Sequence, residues 1–121
     1  MTDLSALEAD LLAHALALPE AHEDFPWGER VVKVRAKIFL FLGLVDGMLR
    51  VAVKLPASHP MALLLDGCMP TPYGLGRHGW VTARLGADGS GPDPDLLPGW
   101  IEESYRAVAP RRLARTLSRP S

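Results

Sequence analysis

Cysteine is almost absent from this chain: Cys68 stands alone among 121 residues. One thiol excludes an intramolecular disulfide and a zinc site built on several cysteines. It fits a reducing, cytoplasmic setting. Aromatic residues are sparse at 7%, so Trp27, Trp80 and Trp100 are each expected to serve a core or a site. No apolar run approaches the roughly 18 residues that a membrane span requires. The first residues carry acids instead of a basic stretch, so no signal peptide is expected. Residues 1–29 contain no Lys or Arg at all.

What is present is apolar content of 48%, with eleven Pro and eleven Gly. This composition predicts one globular domain over residues 1–121, built from short elements with many turns, with residues from about 110 to 121 as a loosely packed tail. Net charge is −1, which argues against non-specific nucleic-acid binding by the molecule as a whole. The distribution of charge is uneven. Seven acids fall in residues 1–29 (Asp3, Glu8, Asp10, Glu20, Glu23, Asp24, Glu29). Six bases fall in 30–54 (Arg30, Lys33, Arg35, Lys37, Arg50, Lys54), against Asp46 alone. Five arginines and no acid fall in 104–121 (Arg106, Arg111, Arg112, Arg115, Arg119).

The pattern reads as α+β. Leu4, Leu7, Leu11, Ala15 and Leu18 repeat at helical spacing and predict a helix from Asp3 to Leu18. Residues 19–28 read as a polar loop whose Phe25 and Trp27 fold back onto the core. Val31–Arg35, Ile38–Leu44 and Met48–Leu55 read as an antiparallel meander, with Ala36-Lys37 and Asp46-Gly47 as its turns. Ser58 is expected to cap a short helix over 59–65, and residues 68–79 to form a loop or irregular strand. Trp80–Leu85 is a further strand, residues 86–95 a flexible loop, and Asp95 the cap of a last main helix with Leu97, Trp100, Ile101, Tyr105 and Val108 buried. Residues 111–117 suggest a short final helix.

The order of Leu18-Pro19-Glu20, Phe25-Pro26-Trp27-Gly28, Val32-Lys33-Val34, Lys37-Ile38-Phe39, Val53-Lys54, the Trp80 strand and Ser104-Tyr105 is similar to MmcQ/YjbR proteins. That resemblance covers nearly the whole chain. It implies a CyaY-like fold, a mostly antiparallel sheet packed by N- and C-terminal helices. It also implies a double-wing DNA-binding surface and no enzymatic activity. Residues 72–80 depart from the family's usual His-, Asn- and Lys-rich stretch, keeping only Arg77 and His78 as polar side chains beyond Tyr73.

Candidate chemistry is thin. Gly74-Leu75-Gly76-Arg77-His78-Gly79 fits G-x-G-x-x-G, but prolines precede it and a strand follows, so it reads as a glycine-rich turn and not a dinucleotide site. His22-Glu23-Asp24 reads as a solvated acidic loop, and no metal or cofactor is expected. Cys68 reads as a small buried thiol, and Ser104 as a surface or capping residue. Two binding readings stay open. In one, Arg35, Lys37, Arg77, Arg111 and Arg112 contact DNA phosphates, with Arg35 and Lys37 projecting from a hairpin tip. In the other, Phe25, Trp27, Tyr73, His78 and Trp80 line a pocket for a small ligand or protein partner.

Overall fold

The computed structural model describes residues 1–118. Four helices and six strands follow in order: α1 (Leu4–Leu16), β1 (Ala21–Asp24), β2 (Val31–Val34), β3 (Lys37–Val45), β4 (Met48–Lys54), α2 (His59–Ala62), β5 (Cys68–Pro70), β6 (Trp80–Leu85), α3 (Leu97–Val108) and α4 (Arg111–Ser118). The strands make one sheet in the order β1-β2-β3-β4-β6-β5, antiparallel throughout. The α+β expectation is met.

Period-two alternation sorts the sheet into two faces. Leu49, Val51, Val53 and Leu55 point to one face and are buried with Leu40, Leu42, Val81, Ala83 and Leu85. Against them lie Leu11 and Ala15 of α1 and Leu97, Trp100, Ile101 and Tyr105 of α3. Val31, Ala52 and Trp80 are equally enclosed but fall outside this cluster. They belong to the other face, which no α-helix among the described residues covers, and there Phe41 and Trp80 meet edge to face at 5.6 Å.

A bulge aligns the two faces. Val32 pairs with Leu40 but Lys33 pairs with Ile38, so Phe39 is the extra residue on β3. Phe39 and Leu40 therefore both turn inward. The Phe39 ring stands at 88° to that of Tyr105, centroids 5.3 Å apart, and the Tyr105 hydroxyl donates to the Pro19 carbonyl at 2.7 Å.

Several expectations need correction. Residues 21–24 form an edge strand, because polar His22 and Glu23 are tolerated where one side of a strand faces water. Phe25 and Trp27 do not fold back: they are 53% and 91% exposed. The first hairpin turn is Arg35-Ala36, with Arg35 at φ 58°, and Lys37 already belongs to β3. Helix α2 stops at Ala62, and the Ser58 hydroxyl donates to Glu103 at 2.6 Å and caps nothing. Asp95 does not cap α3: Asp93 caps a 3-10 turn over Pro94–Leu96, its carboxylate accepting from the Asp95 N–H at 2.9 Å, and α3 starts from Leu96 without a side-chain cap. Ser104 is wholly buried: its hydroxyl donates to the Phe39 carbonyl at 2.6 Å and accepts from the Lys54 N–H at 2.8 Å, pinning α3 to β3 and β4. Among the described residues no helix is long and apolar enough to cross a membrane.

Candidate nucleic-acid interface

The strand register decides where each charge falls. The β2–β3 turn, the end of β4 and the start of β6 share one end of the sheet, since Lys54 pairs with Trp80 and Val34 with Lys37. Ser104 holds the C-terminal half of α3 at this same end, so α4 begins there too. Arg35, Lys37, Lys54, Arg77, Arg111 and Arg112 are thereby brought to one end from four separate stretches of chain. The opposite end carries the Asp46-Gly47 turn, the loop with Asp88, Asp93 and Asp95, and Asp3, whose neighbour Thr2 donates to Ala87 at 2.9 Å. No Lys or Arg lies in residues 1–4, 45–48 or 86–96. The small net charge conceals a separation of charge along the strands.

Not every base is available. Arg30 pairs with Glu8 at 3.2 Å and Glu23 at 2.9 Å, although its buried Nε makes no aligned hydrogen bond. Lys33 pairs with Asp24 at 2.8 Å, and Arg50 with Glu29. The ion pair to Lys33, with the Phe25 N–H, holds the Asp24 carboxyl below its usual range. Arg35 grips Glu20 at two points, 2.8 and 3.2 Å, which lowers the Glu20 pKa and raises that of Arg35. The Arg112 charge lowers the Glu20 pKa further, as the smallest of the causes. Glu103, the other acid nearby, is occupied by the N–H groups of Ala57 and Ser58 at 2.9 and 3.0 Å. Lys37, Lys54, Arg77, Arg111 and Arg112 have no ion pair among the described residues. Arg119 lies outside the described residues.

The uncovered sheet face holds a groove of about 570 Å³. Its floor is Ile38, Phe41, Ala52 and Thr82, and Trp27 and Tyr73 stand at its rim. Of the other pocket candidates, Phe25 faces an adjoining hollow, with the Arg30 guanidinium 5.9 Å from its ring. Trp80 is buried beneath Phe41, and His78 is exposed in the turn Leu75–His78, outside the groove lining. Gly74–Gly79 leads from a left-handed turn into β6, with no helix to face a pyrophosphate. Cys68 is half-buried on β5, and burial pushes its thiol pKa up, the reverse of what a nucleophile needs. Among the described residues, no three His, Cys, Asp or Glu side chains gather to hold a metal.

Composition gives no sign of one repeated feature. Pro26-Trp27-Gly28 and Pro72-Tyr73-Gly74 are the same three-residue device. Trp27 and Tyr73 have φ 55° and 63°, the following glycines 78° and 81°. Each turn closes with a bond from the fourth residue to the first, Glu29 N–H to Pro26 and Leu75 N–H to Pro72. Successive positive φ values define a type I′ turn, which favours Asn, Asp or Gly and disfavours a bulky ring.

A protein-family model described as YjbR matches residues 16–107. No curated protein matches the chain.

Proposed function

The chain belongs to the YjbR family, and from that premise we propose that it is a non-enzymatic DNA-binding protein whose basic end docks on the phosphate backbone. It acts in the cytoplasm, where the lone thiol stays reduced. The observation that carries this reading is the convergence of Lys37, Lys54, Arg77, Arg111 and Arg112 at one end of the sheet without carboxylate partners. Phosphate contacts require cations that are not already satisfied. Arg35 contributes less, because Glu20 holds its Nε and Nη2 and neutralises its charge. The acidic far end repels the duplex and so orients the approach. Five phosphate contacts position a protein but read no base, so this surface fits binding with little sequence preference.

Backbone amide NMR during titration with a short duplex tests the assignment. Shifts are expected at residues 35–38, 54, 77–78 and 111–112. Shifts centred on residues 46 and 88, or none at low salt, would remove the proposal.

A further inference from the structure

We propose that the groove on the uncovered sheet face takes unpaired bases of single-stranded DNA, with Trp27 and Tyr73 as stacking platforms. This rests on the nucleic-acid reading and adds a second, distinct contact surface to it.

The twin Pro-aromatic-Gly turns carry the inference. Trp27 is 91% and Tyr73 98% exposed, so neither ring stabilises the fold by burial. Both sit in left-handed backbone, which is unfavourable for a bulky residue. Strain that no packing offsets is a mark of a functional site. The turns lie on opposite borders of the groove: Trp27 leads toward β2, and Tyr73 lies between edge strand β5 and β6. Between them the floor is apolar, with the Phe41–Trp80 pair beneath.

The charges decide the occupant. An uncharged apolar partner would not need a free cation at the rim, yet Arg84, which has no ion pair among the described residues, lines the groove. Glu29 is the one acid among the lining residues, and Arg50 neutralises it. Arg77 reaches over the second turn, its Nη2 3.2 Å from where a Gly74 side chain would begin, which puts a cation against that turn. Lys54 extends the same face toward the basic end. Flat apolar surface, projecting rings and bordering cations together fit a strand of bases joined by phosphates. A duplex keeps its bases stacked and inaccessible, so it would engage the basic end alone.

The test is fluorescence anisotropy of a labelled oligothymidylate, and of a duplex of equal length, with the full chain. Trp27→Ala and Tyr73→Ala are each expected to weaken oligothymidylate binding roughly 5- to 150-fold, the range for one lost base stack, and to leave duplex binding unchanged. Trp27→Phe, which keeps a ring, should retain most of the affinity. Unchanged melting temperatures show that the variants fold, as expected for side chains this exposed. Oligothymidylate binding that ignores both alanine substitutions but falls with Lys37→Ala and Arg112→Ala overturns the groove and leaves the basic end standing. Trp27-dependent oligothymidylate binding without any duplex binding supports the groove and overturns the duplex reading. Trp27-dependent binding of anilinonaphthalenesulfonate without oligothymidylate binding overturns the proposed occupant.

Discussion

Glu20 and Arg35 both occupy left-handed backbone, at φ 60° and 58°, and close on each other through two hydrogen bonds of 2.8 and 3.2 Å. The pair joins the chain leaving α1 to the β2–β3 turn and places a carboxylate inside the basic end. Glu20 therefore restrains the surface proposed to bind DNA. Glu20→Gln is expected to free Arg35 and tighten duplex binding about fivefold or more near 50 mM salt, the weight of about one added phosphate contact. Arg35→Ala alone should weaken binding less than Lys37→Ala. Parallel anisotropy titrations of the three variants check this.

The same pair sets a pH dependence. Hydrogen bonding to Arg35 depresses the folded pKa of Glu20. A depressed carboxyl contributes stability that is present above its unfolded pKa and is lost as pH falls through its folded pKa. Melting temperature should therefore drop as pH is lowered through and below the ordinary carboxylate range, and Glu20→Gln should flatten part of that drop. Asp24, depressed chiefly by Lys33, acts in the same direction. A melting profile that Glu20→Gln leaves unaltered would count against this role.

Ser104 is a structural contact. Ser104→Ala strips the Lys54 N–H and the Phe39 carbonyl of their shared partner. Each buried group left unpaired costs about 1–3 kcal/mol, so a loss of roughly 2 kcal/mol or more in urea unfolding is expected. The variant also loosens α3 from the basic end, so weaker DNA binding should accompany it.

Much of the architecture could be read from the chain, and the failures have physical causes. Leu49, Val51, Val53 and Leu55 alternate so strictly that β4 and its face were unambiguous, and Asp46-Gly47 admits little but a type I′ hairpin, which φ of 52° and 79° confirm. Edge strand β1 was hidden because His22-Glu23-Asp24 has no apolar alternation, and an edge strand with one side in water needs none. Ser104 misled because a lone hydroxyl on a helix gives no sign of the bulge at Phe39 whose carbonyl it satisfies. The basic residues were visible, but their convergence depends on strand register and on where α3 ends. The exposure of Trp27 contradicted the rule that loops return large rings to the core. The repeated Pro-aromatic-Gly was the available signal, since in both copies the ring sits at a positive-φ turn position and is exposed.

Two glycines should respond oppositely to alanine. At Gly91, φ is 96° and a Cβ would run into the Arg84 carbonyl oxygen, so Gly91→Ala should cost at least about 2 kcal/mol from strain and overlap combined. Gly99 lies inside α3 with open space around it. Gly99→Ala should stabilise by about 0.5–1 kcal/mol through helix propensity. Denaturant midpoints of both variants decide the matter.

Cys68 is expected to be sluggish. Burial raises its thiol pKa, so little thiolate exists at neutral pH. Alkylation by iodoacetamide should run roughly tenfold or more slower in the folded protein than in the urea-unfolded chain. Equal rates would show that the thiol is more open than its place on β5 implies.

The most direct measurement is duplex DNA affinity followed across salt concentration. Docking of the basic end on about four or five phosphates gives log K against log salt a slope of roughly −3.5 to −4.5. Lys37→Ala, Arg111→Ala and Arg112→Ala should each make that slope shallower by about one. A protein that fails to bind at low salt, or whose slope is untouched by all three substitutions, would contradict DNA recognition by this end of the sheet.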